Sequence, residues 1–213
     1  MNQKRNNSIK KMFLFLPLWV EKIFGAIAAG FIITGQVIFV LDIFKRKIKP
    51  SALSWIGWVL LMGTSLVAQM FAKGWEWNLT GLAFSTLGCF IIFIISISLN
   101  QFIIKSSDWI FMFLGFLCVL IYFQSKDPWL TTIFAILADL AVGIPTLVHA
   151  YKEPQTQKSI AWKLGFVSWI FSLILCIGHD WLYALFPIYL FLFNCAMVLL
   201  TEKRTKHFQK KIE

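Results

Sequence analysis

Charged residues are scarce in this sequence: Asp, Glu, Lys and Arg make up 14% of its 213 residues, while hydrophobic residues make up 59%. A soluble domain needs roughly 25% charged residues to cover its surface with groups that interact well with water. The low charge therefore excludes an ordinary soluble fold, and no soluble domain fits between the apolar runs. Much of the molecular surface must face something other than water.

The sequence also lacks the patterns of disulfide, metal and enzyme chemistry. Its four cysteines (Cys89, Cys118, Cys176 and Cys195) lie inside apolar runs, and no two of them have CxxC spacing. This placement favours apolar packing over a disulfide framework or a zinc site. No Ser-His-Asp set, HExxH, Walker loop or GxGxxG is visible. We therefore expect no metal site, no cofactor and no enzymatic activity.

Long apolar runs, in contrast, are abundant. A helical membrane span needs ~20 mostly apolar residues, and seven segments meet this requirement: 23–44, 53–72, 78–99, 107–124, 129–151, 162–179 and 181–201. The connections are short, and those at 45–50 and 152–155 combine charge with proline, which stops a helix. The sequence predicts an all-α integral membrane protein whose seven helices cross the lipid bilayer.

The basic residues are divided unequally between the two ends of these spans. With seven spans, thirteen Lys and Arg residues lie on the side of the C-terminal tail, residues 202–213, and seven lie on the other side. Five of those seven belong to a basic N-terminal segment, residues 1–22, in which we expect a short interfacial helix. The side rich in Lys and Arg normally faces the cytoplasm, so we place the C-terminus there. The net charge of +10 then reflects topology, and no nucleic-acid partner is expected.

The first three and the last three predicted spans look alike. A shift of 107 residues places Trp55 on Trp162 and Ser65 on Ser172, and Asn194 falls opposite residues 86–88. The span 107–124 has no counterpart. A linker that crosses the membrane once gives both triplets the same orientation, as in transporters with parallel repeats. We predict a 3+1+3 architecture: one repeat at 23–100, a linker helix at 101–127 and a second repeat at 128–201.

Parts of both repeats resemble the PQ-loop superfamily, which includes the SWEET sugar transporters. The matching pieces are Pro145-Thr146 in place of the family's Pro-Gln, the loop that leads to residues 159–162, and Gln36 in the first repeat. In residues 49–55 and 138–146 the chain is most similar to an uncharacterised group of bacterial PQ-loop-like membrane proteins. The resemblance implies solute transport, in the inner membrane of a bacterium, and does not identify the solute.

Three polar side chains inside the predicted spans are candidates for a solute site. A charge at the bilayer centre costs on the order of 3 kcal/mol or more, so Asp139 must face the interior of the helix bundle. It is either a proton, cation or solute site or a carboxyl bonded to a neighbouring helix. Asn194 resembles the asparagine that SWEET-type carriers hold against their substrate, although it also suits an interhelical hydrogen bond. Gln36 suits either pore lining or helix contact.

Four tryptophans lie near the starts of the second and sixth spans or deeper within them. Trp55 and Trp162 are at the cytoplasmic ends, where tryptophan commonly anchors a helix at the membrane interface. Trp58 and Trp169 lie deeper, so we expect their rings to stack on the solute.

Pro145 lies six residues after Asp139. Because proline lacks a backbone donor, it frees the carbonyl of Ala141. With Gly143, it forms either a hinge between outward- and inward-open states or a static kink. His149 lies ten residues past Asp139, and a rise of ~1.5 Å per residue excludes a direct pair.

These patterns predict a small-solute transporter that works by alternating access, with a sugar, an amino acid or a vitamin-like molecule as its solute. Proton coupling through Asp139 is one form of this prediction. The alternative is a membrane receptor or partner-binding protein on the same scaffold, and a homo-oligomer is compatible with either function.

Overall fold

The computed structural model describes residues 16–73, 75, 77–124, 128–177 and 181–209. Its regular elements in these ranges are seven α-helices and two short 3₁₀ turns, at Trp77–Leu79 and Pro154–Thr156. The helices are α1 (Leu18–Phe44), α2 (Ala52–Lys73), α3 (Thr80–Ser98), α4 (Asp108–Gln124), α5 (Pro128–Lys152), α6 (Ala161–Ile174) and α7 (Trp181–Gln209). The prediction of an all-α protein is therefore confirmed for the described residues, and each predicted segment contains a helix.

The ends of three helices differ from the predicted bounds. Helix α1 begins at Leu18 because the ψ of 142° at Pro17 is not helical, while the Pro17 carbonyl accepts the first hydrogen bonds of the helix, from the amides of Val20 and Glu21. Residues 18–22 are thus part of α1, while residues 1–15 of the predicted interfacial segment lie outside the described part. Helix α7 continues to Gln209, into the predicted tail, because no glycine or proline interrupts it there. Helix α6 ends at Ile174 and is followed by turns.

Four helical segments in the described residues are long and apolar enough to cross a membrane: Leu18–Phe44, Thr80–Ser98, Ile133–Lys152 and Ala184–Glu202. Shorter apolar segments occupy Ala52–Gly63, Asp108–Leu117 and Ala161–Ile174. Large apolar side chains are exposed on the outer surface, and Trp109, Ile110, Phe113 and Phe116 of α4 are each more than half exposed. An apolar outer surface of this kind is compatible with a membrane protein.

The helices pack in a closed ring. Helix α1 contacts α3 and α6, α2 contacts α3 and α5, and α7 contacts α5 and α6. Following these contacts gives the order α1–α3–α2–α5–α7–α6 and then α1 again. Helix α4 lies outside this ring and packs mainly on α5. The ring leaves a space at its centre, and the candidate site lies there.

Two loops meet at the end of the ring where α1 and α5 terminate. We call residues 45–51 and 153–160 the loop pair. The Lys49 amide donates to the Thr156 carbonyl at 2.8 Å, and the Gln157 side chain donates to the Lys49 carbonyl at 2.6 Å. Pro50, Pro154 and Gln157 are buried, so the loop pair packs against this end of the ring.

The connection between α3 and α4 also lies against the loop pair. Ile103 donates to the Pro50 carbonyl at 2.9 Å and accepts from the Ala52 amide at 3.1 Å, which forms an isolated parallel bridge with Ser51. This backbone pairing fastens residue 103 to the start of α2.

Candidate functional site

The centre of the ring contains a cavity of about 110 Å³. Its described lining residues come from all six ring helices, and none comes from α4. Asp139, Asn194, Gln36, Trp58 and Trp169 all line it. The structure thus brings together the five residues that the sequence selected, although their role in binding a solute stays a prediction.

Asp139 is fully buried near the middle of α5. The hydroxyl of Tyr189 on α7 donates to its Oδ2 atom at 2.7 Å, and the Trp58 indole lies beside the same carboxyl. The other oxygen, Oδ1, is buried and has no hydrogen-bond partner among the described residues. Buried polar atoms are normally hydrogen-bonded, so a free carboxyl oxygen beside a cavity is a candidate contact for a ligand.

Tyr189 was not predicted as a site residue, although its position within an apolar run indicates a buried hydroxyl. Tyrosine normally lies at a membrane interface, where its hydroxyl reaches water. A tyrosine nearly in the middle of the 181–201 apolar run needs a buried partner for its hydroxyl. The sequence cannot identify that partner, because Asp139 is 50 residues away.

Gln36 and Asn194 are placed alike, since each amide lies over a glycine of a neighbouring helix. Gln36 occupies the space that a side chain at Gly88 would need, and its Nε2 atom donates to the Phe84 carbonyl at 3.0 Å. Gln36 therefore both lines the cavity and joins α1 to α3. Asn194 Oδ1 lies over Gly165, but its Nδ2 atom donates to Leu190 of its own helix at 2.8 Å rather than to another helix.

Aromatic rings form a continuous wall of the cavity. The centroids of Trp55 and Trp58 are 5.2 Å apart, those of Trp58 and Phe193 are 5.4 Å apart, and Trp55 also contacts Trp162 at 6.3 Å. Trp169 lies farther along α6 and packs on Ile32 and Leu190.

The expectation that Trp55 and Trp162 are interfacial anchors is wrong. Their exposed fractions are 6% and 7%, because the two rings pack on each other and on Phe39 inside the bundle. Trp162 donates its indole N–H to the Gln157 carbonyl at 3.0 Å, whereas the buried N–H of Trp55 has no partner among the described residues.

Pro145 and Gly143 lie in an unbroken part of α5. Pro145 is fully buried, and a Cβ atom at Gly143 would lie 2.8 Å from the Phe193 ring. Gly143 therefore permits close packing of α7 on α5. A hinge at these residues stays a prediction.

A second buried polar cluster lies outside the cavity, at the loop-pair end. His149 Nε2 is 3.4 Å from Asp108 Oδ2, and both side chains are almost completely buried. Asp108 Oδ2 also accepts from the Lys105 amide at 3.0 Å, and the Lys105 ammonium pairs with Glu153 at 3.1 Å. This pair was not predicted from the sequence, and as predicted His149 is not bonded to Asp139.

Among the described residues, no group of three or more His, Cys, Asp or Glu side chains is arranged to hold a metal ion. The side chain of Ser65, used in aligning the repeats, lies outside the described part.

No family model matches the chain, and no curated protein or solved structure is significantly similar to it. A function for this chain must therefore be inferred from the cavity and from the order of the helices around it.

Proposed function

We propose that this protein is a small-solute transporter of a bacterial inner membrane and that it works by alternating access. In this proposal all seven helices cross the bilayer, as two parallel three-helix repeats joined by α4. The observation that carries the proposal is the cavity at the centre of the ring, with the half-satisfied carboxyl of Asp139 in its wall.

The helix order supports two repeats. In the first triplet the third helix, α3, lies between α1 and α2, and in the second triplet α7 lies between α5 and α6. The triplets meet through α1 with α6 and through α2 with α5. Exchanging the triplets maps the ring onto itself, which a parallel repeat about an axis along the membrane normal requires.

The contact between Trp55 and Trp162 also supports two repeats, because the 107-residue shift aligns these residues. In a two-fold arrangement, residues close to the axis meet their own counterparts. The two rings are in contact, with centroids 6.3 Å apart, and both line the cavity. Substrate sites of transporters with parallel repeats lie at this interface between repeats.

The loop pair supports alternating access. It connects the first triplet to the second by the hydrogen bonds between Lys49, Thr156 and Gln157, and the Gln157 carbonyl accepts from the indole of Trp162, which lines the cavity. Closure of one end by breakable hydrogen bonds is what one state of such a cycle needs. Opening the loop pair would expose the cavity to the side that carries most of the Lys and Arg residues, the cytoplasm in our assignment.

The test is uptake into proteoliposomes, with a panel of radiolabelled sugars, amino acids, vitamins and organic cations. Wild-type protein is expected to accumulate at least one of these solutes in a pH-dependent manner. Asp139→Asn should lose most of this uptake, because an amide at this position cannot carry a proton between the two sides. Glu202→Gln is the matched control, since Glu202 pairs with Lys163 near the end of α7, outside the cavity. It is expected to transport normally.

If Asp139→Asn keeps both the uptake and its pH profile, the proton-coupled form of the proposal is wrong. Specific binding of a solute without uptake would instead favour a receptor on the same scaffold.

A further inference from the structure

We infer that the cavity binds a small organic cation, such as a quaternary ammonium or a protonated amine that also carries a hydroxyl. This inference assigns a substrate class to the site of the proposed transporter and therefore rests on that proposal.

The charge of the residues that line the cavity favours a cation. Among the described residues that line the cavity, Asp139 supplies a carboxyl, and none is Lys, Arg or His. A buried ionised carboxylate is costly unless a positive charge compensates it. An anionic solute would add a second negative charge, whereas a cation would neutralise the first.

The hydrogen bonds around Asp139 leave one of its carboxyl oxygens without a partner among the described residues. Tyr189 occupies Oδ2 of Asp139, while Oδ1 has no partner among the described residues. The amide nitrogens of Gln36 and Asn194 already donate to backbone carbonyls, which leaves their oxygens as acceptors. Most of the unfilled capacity in the wall therefore accepts hydrogen bonds or attracts positive charge, and it suits a ligand that donates.

The aromatic wall has the same preference. Phe39, Trp55, Trp58, Trp162 and Phe193 meet at interplanar angles between 40° and 89°, so their faces turn in different directions around the cavity. The face of an aromatic ring, of tryptophan above all, attracts a cation within about 6 Å of its centroid. Trp58 interacts with the Asp139 carboxyl through its side-chain N–H, so a cation at that carboxyl lies close to this ring.

The wall also contains a buried donor, the N–H of Trp55, which has no partner among the described residues. A hydroxyl oxygen on the ligand would satisfy it. A sugar fits less well, because each of its hydroxyls needs partners in a wall that is mostly aromatic and aliphatic.

Choline is a suitable test molecule, and 3,3-dimethylbutan-1-ol is its neutral analogue, with the same shape and hydroxyl but without the charge. We expect isothermal titration of the full chain in detergent to show saturable choline binding, with the neutral analogue about 30-fold weaker. Asp139→Asn should weaken choline binding by about the same factor. Trp58→Leu, which keeps the carboxyl, should weaken it about fivefold, and Glu202→Gln should leave it unchanged.

Equal binding of choline and its neutral analogue to the wild type would overturn the inference, and this comparison needs no variant to fold. A lack of saturable binding by choline, tetramethylammonium and phenethylamine would also overturn it. The proposed function is tested separately. Cation binding without uptake into proteoliposomes would contradict transport and support the cation site. Uptake of a neutral solute without cation binding would support transport and contradict the cation site.

Discussion

Asp108 and His149 form a buried polar contact, with His149 Nε2 and Asp108 Oδ2 3.4 Å apart. Asp108 lies in the first turn of α4, where a carboxylate also interacts favourably with the helix dipole. Asp108→Ala is expected to lower the free energy of unfolding by about 1–3 kcal/mol, because it leaves His149 and the Lys105 amide without this acceptor. Thermal unfolding in detergent measures the effect.

The neighbouring Ser107 is the control for this prediction. Its side chain is exposed and makes only a long contact of 3.4 Å to Asp108. Ser107→Ala should therefore change the free energy of unfolding by less than about 0.5 kcal/mol. Equal effects of the two substitutions would show that the buried pair does not stabilise the protein.

The polar residues of the site were predictable because exposing them to lipid costs free energy, which requires that they be buried. Asp139, Gln36 and Asn194 had to face the interior because lipid cannot satisfy them, and all three line the cavity. The partners Tyr189 and Asp108 were not predictable, because they lie 50 and 41 residues from Asp139 and His149. Sequence spacing carries information only about neighbours on the same helix.

Helix contacts depend on glycines whose lack of a side chain permits close approach. A Cβ atom at Gly57 on α2 would lie 2.9 Å from the Cβ of Val142 on α5 and almost as close to both of its methyl groups. Valine cannot turn away easily, because its branched Cβ restricts rotation. Gly57→Ala is therefore expected to lower the free energy of unfolding by about 1–3 kcal/mol, as overpacking does.

Gly30 provides the matched comparison for thermal unfolding, since no atom lies within 4 Å of a Cβ built there. Gly30→Ala should be neutral or stabilise the protein by up to about 1 kcal/mol, through the higher helix propensity of alanine. The packing argument fails if Gly57→Ala unfolds at the same temperature as Gly30→Ala.

The loop pair gives a prediction about opening. Gln157→Ala removes the hydrogen bond to the Lys49 carbonyl, so the open state should gain about fivefold in population relative to the closed state. Cys89 lines the cavity and reports access when the other three cysteines are replaced by alanine. Its labelling by a methanethiosulfonate reagent is expected to accelerate about fivefold.

Gln155, exposed in the same loop, is the control: Gln155→Ala should label at the wild-type rate. An unchanged rate in Gln157→Ala would argue against the loop pair as a gate.

The existence of the seven helices followed from hydropathy, but some of their ends did not. Hydropathy stops where charge begins, near residue 201, whereas helix propensity carries α7 through Lys203, Arg204 and Lys206 to Gln209. The misplaced anchors, Trp55 and Trp162, have a similar cause. A tryptophan at a helix end is interfacial only if it faces outward, whereas these two rings pack on each other and on Phe39 of another helix, and contacts between helices are not a periodic signal.

At the scale of the whole molecule, an odd number of spans places the termini on opposite sides of the membrane. We expect a green fluorescent protein fused to the C-terminus to fluoresce and alkaline phosphatase fused there to be inactive, as for a cytoplasmic end. A cysteine introduced at Asn2 should react with an impermeant reagent added to intact spheroplasts. Labelling of Asn2→Cys only after lysis, with a cytoplasmic C-terminus, would mean that the number of spans is even.

The order of the helices around the ring could be anticipated only through the apparent repeat. Composition and hydropathy do not show which helices contact each other, because lipid-facing and interior-facing apolar residues look alike in sequence. In the structure α1 contacts α6 and α2 contacts α5, while the 3+1+3 repeat itself stays a prediction.

The connection before α4 limits how the two triplets can move. Ile103 is fastened by two backbone hydrogen bonds to the start of α2, in the first triplet. Two residues later, Lys105 is tied to Glu153 and to Asp108, which bonds His149 on α5 in the second triplet. If the triplets rock against each other, α4 must travel with the second while residue 103 stays with the first. The change in backbone torsion angles is then concentrated at a single residue, the half-exposed Ile104.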